Sequence, residues 1–337
     1  MHAASAIPPP CPFSLTPRVF EKVWGGQRLG RLGKSLADPQ ARYGESWELA
    51  DMPVTNPGGA GGSPVRTLIA SGPLEGRTLR DAIDVWGAAL LGNTRPTPEG
   101  DFPLLVKFLD ACENLSVQVH PSPAYAAAHP KANIKTECWY ILDAEPGSVI
   151  YKGLRPGVTR ETLGAHARAG DAAIVKDLVA IPAIPGECHN LPSGTVHALG
   201  AGVLIAEVQA PSDTTYRLYD WGRKGRELHV EQSLECAMFE EPPAPTRIAP
   251  DGKRTRLVTT EYFTLDGFVI EPGRPVAVTS AGSRCAAVIG IDGRGRIVTP
   301  DGASLAIASG ETAVVPAACS NAKIHADEPM RVLVAEV

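Results

Sequence analysis

The segment LSVQVHP, Leu115 to Pro121, places a glutamine and a histidine two residues apart. In an extended strand, residues two apart share a face. Gln118 and His120 therefore point together, and Ser116 joins them. Glu137 comes seventeen residues after His120, in KTECWYILD, and His197 sixty residues after that, in LPSGTVHALG. Two imidazoles, a carboxylate and an amide oxygen on neighbouring strands would make a borderline-hard metal site. Zinc accepts nitrogen and oxygen donors of this kind, and a catalytic zinc keeps one position open. Each residue alone is weak: an isolated strand histidine is more often a hydrogen-bonded structural residue, and most glutamates are solvated.

Such residues need a scaffold of many short strands. Between Pro103 and Tyr219 the candidates follow closely: LLVKFLD, LSVQVH, ECWYILD, SVIYKG, ECHNLP, TVHALG, VLIAEVQA and TTYRLYD. Two helical inserts interrupt them, near Ala124–His129 and from Thr159 to about Val179. An earlier amphipathic helix is expected over 78–91, with Thr78 as its cap and Asp81 as the capping-box partner. Two or three strands are expected between Pro17 and Met52, and a short one over 65–70. Residues 1–12 are proline-rich and expected to be loose, and Asn56–Pro64 reads as a flexible loop. Glu240–Pro250 is a proline-rich boundary, beyond which more short strands alternate with Gly and Asp turns. The 34 glycines and 31 prolines are spread along the chain, as tight turns between strands require. The pattern is that of a mainly β protein, a small antiparallel barrel or jelly roll followed by a smaller β-domain.

Composition narrows the function. The chain has 337 residues and a formal net charge of -5, which argues against a nucleic-acid partner because such partners require a basic face. A small anionic substrate needs only a few cations in a cleft. The seven cysteines are scattered, with no C-x-x-C pair, so a reducing compartment is expected rather than a disulfide framework. The first residues lack the features of a secretory signal. No apolar run is long enough to span a membrane. The GIDGRG run is not a dinucleotide fingerprint, because no helix follows it.

His197 carries a further signal. Gly186, Pro192, Gly194 and His197 stand at the spacing of the second cupin motif, in which a tight turn delivers a histidine into a barrel. The first cupin motif is degenerate, with Gln118 in place of a histidine and an insertion before Glu137. Seven blocks, VWGG, GESWELAD, FPLLVKFLDA, LSVQVHP, IKTECWYILD, PSGTVHALG and SDTTYRLYDW, occur in order over roughly residues 17–240. In these the chain resembles the type I mannose-6-phosphate isomerases, in their shorter bacterial form.

That resemblance implies a cupin-type catalytic domain over 1–245, with helical inserts at about 78–91 and 159–179, and a C-terminal β-domain over 251–337. It implies one zinc ion per chain with Gln118, His120, Glu137 and His197 as ligands. It also implies Arg217, Glu207 and Lys135 as active-site residues, with Lys107 and Ser116 near a sugar phosphate, and a cytoplasmic enzyme interconverting mannose 6-phosphate and fructose 6-phosphate. Ser122-Pro123 and the stretch Gln209–Ser212 depart from the family's usual text without touching a ligand. Read as residues, Arg217 offers fixed donors and a permanent charge for an enediolate, or a surface salt bridge. Glu207 lies in an apolar strand where burial would raise its pKa, as a base or as a partner for Arg217. Lys107 is costly to bury unpaired, which favours an anion contact, though an outward-facing position competes. Lys135 shares its face with Glu137 and the same ambiguity. Two other functions remain possible: a different metal-dependent cupin enzyme, and a non-catalytic sugar-phosphate-binding or regulatory protein.

Overall fold

Apolar and β-branched residues alternate between glycine and proline turns along most of the chain, and this period-two pattern folds as antiparallel strands. The computed structural model describes residues 7–56, 60–130, 132–279, 284–319 and 321–337. Part of the expected loose N-terminus and part of the Asn56–Pro64 loop, residues 1–6 and 57–59, lie outside the described residues. Residues 8–12 are packed rather than loose: the Trp86 indole donates to the Pro8 carbonyl at 2.8 Å, and the Cys319 thiol to that of Pro10 at 3.4 Å.

Two sheets build the first barrel. One has seven strands in the order Thr246–Arg247, Glu187–Leu191, Glu137–Ala144, Val203–Gln209, Leu105–Ala111, Arg18–Gly26 and Tyr43–Leu49. The other has five: Leu178–Pro182, Val149–Leu154, His197–Leu199, Val117–Val119 and Tyr216–Tyr219. Trp24, Leu109, Trp139, Ile141, Ile150 and Ile205 pack between them. Behind the five-stranded sheet, Val119, Ala198 and Leu218 pack against Leu163, Ala167 and Leu234 of the helices Arg160–Ala169 and Val230–Cys236.

Strand residues of opposite parity face the other way. Phe108, Tyr140 and Val208, on the back of the seven-stranded sheet, meet Leu265, Leu333 and Ala335 of a third sheet. That sheet, from Thr255–Thr259 to Leu68–Ile69, includes Phe13–Thr16 paired with Thr312–Val315. N-terminal strands thus complete a sheet otherwise built from residue 255 onward. A four-stranded sheet covers its far side around Ile297, Ile307 and Ile324. The class is mainly β and cupin-like, as expected. All seven cysteines are free thiols, and among the described residues no helix is long and apolar enough to cross a membrane.

Several element bounds differ from expectation. The helix over 78–91 is two helices, Leu79–Trp86 and Ala88–Leu91, broken at Gly87. The 159–179 insert is helical only over Arg160–Ala169, then a 3-10 turn over Ala172–Asp177. Gly170, at φ 68°, ends the helix in a left-handed conformation that suits glycine. Val179 lies in the strand Leu178–Pro182, where β-branched residues pair with Val149–Leu154. The proline-rich boundary contains the strand Thr246–Arg247, paired with Glu187–Cys188. The helix Val230–Cys236 had no sequence signal strong enough to separate it from the charged run before it.

The capping box is present: the Asp81 amide donates to Thr78 Oγ1 at 3.1 Å, and the Thr78 amide to Asp81 Oδ2 at 2.8 Å. Thr78→Ala should therefore cost about 1 kcal/mol of stability. Urea unfolding should show a lower midpoint at unchanged slope, and an unchanged midpoint would deny the cap a stabilising role.

Candidate metal centre and cleft

Strand register assembles the site. In the five-stranded sheet, Gln118 stands opposite His197 on one side and opposite Arg217 on the other. Directly opposed residues share a face, so all three side chains belong to the barrel interior. In the facing sheet, Gln209 stands opposite Glu137, and Glu207 opposite both Trp139 and Lys107. His120 follows the end of its strand, where its carbonyl accepts from the Gly194 amide at 3.1 Å. Gly194 turns at φ 94°, a conformation open to glycine, and that turn leads into His197.

His120, Glu137 and His197 are each at most 1 % exposed, and one potential ligand atom from each lies within 4.8 Å of the others. His120 Nε2 is 3.3 Å from Glu137 Oε2, and His197 Nε2 is 3.4 Å from Glu137 Oε1. The other ring nitrogens fix the tautomers. His120 Nδ1 donates to the Thr214 carbonyl at 2.9 Å, and His197 Nδ1 to the Thr195 carbonyl at 2.8 Å. A carbonyl can only accept, so both Nε2 atoms present lone pairs. Burial, reinforced by Lys135, pushes His120 down to about 3, and burial lowers His197 as well. Both rings are neutral at ordinary pH.

Two lone pairs therefore face two carboxylate oxygens, and Glu137 Oε1 has no hydrogen-bond donor. Acceptors packed this way repel unless a cation lies among them. The donor set fits a divalent metal. Lys135 supplies a positive charge at the edge, its Nζ 2.5 Å from Glu137 Oε2 and 3.1 Å from His120 Nε2. Burial pushes the Glu137 carboxyl upward, but the adjacent Lys135 ammonium outweighs it and holds it well below the usual range. Gln118 Nε2 lies 3.2 Å from His197 Nε2, and the Ser116 hydroxyl donates to Gln118 Oε1 at 3.1 Å. A half-turn of this amide would bring its oxygen to the same place.

A polar cleft opens beside the cluster, lined by Ser116, Gln118, Lys135, Glu207 and Arg217 among others. Lys107, 5 % exposed, forms an ion pair with Glu207 at 3.2 Å and lies over the Trp47 ring at 4.7 Å. The alternative of an outward-facing Lys107 is excluded. The Trp139 indole donates to Glu207 Oε2 at 3.1 Å. Burial and the nearby Glu137 raise the Glu207 pKa. All nine residues singled out in the sequence lie within this cluster or line the cleft beside it.

Lys22, Glu45, Trp139 and Arg226 also line the cleft and escape a reading by motif. Glu45 pairs with Lys22 at 3.2 Å and accepts from the Trp47 indole at 2.7 Å. Burial raises its pKa, but Lys22 and Lys107 together overcome that and bring it to about 2. The strand parity of GESWEL could have marked Glu45 and Trp47 as one face, but not which face was inward.

Known proteins share this architecture. The chain is 36% identical over 263 residues to the mannose-6-phosphate isomerase of Streptococcus mutans, covering 75% of this chain and 77% of that one. It is 36% identical over 269 residues to mannose-6-phosphate isomerase ManA of Bacillus subtilis, covering 75% and 78% respectively. The crystal structure of mannose 6-phosphate isomerase from Bacillus subtilis superposes with a TM-score of 0.81 at 29% identity, over 97% of this chain and 100% of that one. No protein-family model matches. Identity at this level over three quarters of both chains, together with a shared fold, places the chain in the mannose-6-phosphate isomerase family.

Proposed function

We propose that the chain interconverts D-mannose 6-phosphate and D-fructose 6-phosphate through an enediol, with one zinc ion held by Gln118, His120, Glu137 and His197. The observation that carries this reading is the pair of neutral imidazoles whose Nε2 lone pairs face one buried carboxylate. The names of the similar proteins support the substrate, and the cations of the cleft suit its phosphate. When bound, the ion supplies Lewis-acid polarisation of substrate oxygens.

The remaining roles fall to side chains of the cleft. The reaction moves one proton between C2 and C1, so a base must stand over both carbons. Glu207 is the proposed carrier. Its buried carboxyl is raised, as a base needs, and Lys107 and Trp139 hold it in one orientation. Lys135 is a poor base, because Glu137 and Glu207 outweigh burial and raise its pKa; its role is to hold Glu137 and donate to substrate oxygen. Arg217, beside Gln118 in register, faces the oxygen that becomes negative in the enediolate. Ser116 orients the Gln118 amide and reaches the substrate wall. Residues 1–245 are the proposed catalytic unit and the cytoplasm its proposed location.

A coupled assay on mannose 6-phosphate tests the proposal. Turnover should appear with the purified protein, vanish after chelation and return with added zinc. Binding of the sugar phosphate without turnover, or turnover indifferent to chelation, would overturn it.

A further inference from the structure

The charged groups of the cleft are paired differently at its two ends. Each lysine has its own carboxylate: Lys22 with Glu45, Lys107 with Glu207 and Lys135 with Glu137. The arginine end differs. Asp220, 3 % exposed, is shared by two arginines. Arg223 Nη2 donates to Asp220 Oδ1 at 2.8 Å, and Arg226 holds the same carboxylate through Nε, at 2.8 Å from Oδ2, and through Nη2. One carboxylate thus serves two guanidinium groups, and Arg223 has a second partner in Glu113 at 3.6 Å.

Arg223 is turned toward the scaffold, its Nη2 also donating to the Asn114 carbonyl at 2.8 Å. Arg226 lines the cleft. Two of its five N–H groups serve Asp220, which leaves three donors in a fixed fork. The loop between is held under strain. Trp221 has φ 54°, the one non-glycine residue with positive φ among the described residues, an uncommon conformation for a bulky side chain. Its indole donates to the Leu115 carbonyl at 2.6 Å. The loop is thus pinned where the chain enters Ser116 and Gln118.

We infer that Arg226, positioned by Asp220, receives the phosphate of the substrate and sets the preference for phosphorylated over free sugar. This rests on the isomerase reading of the same cleft. A guanidinium fork matches phosphate oxygens in a way that a lysine point charge does not.

The test uses the full chain with its metal. Arg226→Ala should raise KM for mannose 6-phosphate about 10- to 100-fold, as expected for a lost hydrogen bond between charged groups, with kcat falling by a smaller factor. Competitive inhibition by inorganic phosphate should weaken by a similar factor, and Arg226→Lys should recover part of both. Inhibition by phosphate equal to that of the unaltered chain would overturn the inference, as would a loss confined to kcat. Should Arg226→Ala fail to fold, Arg226→Gln is judged by the same phosphate constant. If the unaltered chain shows no turnover, the isomerase reading fails by itself. Calorimetric titration of inorganic phosphate into the unaltered chain and the variant then decides the role of Arg226 separately, with equal affinities overturning it.

Discussion

His197→Ala should remove both the bound zinc and turnover. His197 is 1 % exposed, and its Nε2 faces Glu137 Oε1 at 3.4 Å, an oxygen with no hydrogen-bond donor. Its loss leaves one imidazole, one carboxylate and one amide, a poor set for zinc. Even changes to groups that merely orient a ligand cost 10- to 100-fold in metal affinity or activity. Turnover should fall by more than about 100-fold, and metal analysis of the purified variant should find little zinc. A folded variant with full zinc content would strike His197 from the ligand set. The carbonyl of Thr195 and the edge of Trp139, 5.4 Å from the His197 ring, would lose their neighbour. Some loss of thermal stability should accompany the loss of metal, and circular dichroism separates unfolding from simple metal loss.

Arg217→Ala should leave the metal in place and lower kcat by more than about tenfold. Removing a single donor aimed at a developing oxyanion typically costs a few kcal/mol of transition-state stabilisation. The strand Tyr216–Tyr219 is held through its backbone to Val117–Val119, so truncating this side chain should not move Gln118. Burial, then the charge of Arg226, lowers the Arg217 pKa. Two like charges are thus held toward one cleft, an arrangement that an anionic ligand would relieve. Unchanged kcat with intact zinc would remove Arg217 from the chemistry. A raised KM alone would instead make it a binding residue.

Much of this was legible before any tertiary structure. The alternation in LSVQVHP places Gln118 beside Ser116, and the turn Pro192–Gly194 predicts a histidine delivered inward at His197. Strand candidates such as VLIAEVQA and ECWYILD match Val203–Gln209 and Glu137–Ala144. Other features were not legible. Lys22 and Arg226 lie in unremarkable charged surroundings, and no local pattern says that a cleft will close over them. Val179 reads as part of the helical insert because a periodic pattern does not show where Gly170 ends the helix.

The sequence alone determined the donor chemistry and the face on which each donor stands. Both are local properties, fixed by residue type and by the two-residue period of a strand. Tertiary structure alone decided which faces meet. Gln118, Glu137 and His197 come together through strand pairings such as Gln118 with His197 and Gln209 with Glu137. Register of this kind is selected by burying one face of each strand against a distant partner, and that selection has no counterpart within any short stretch of chain.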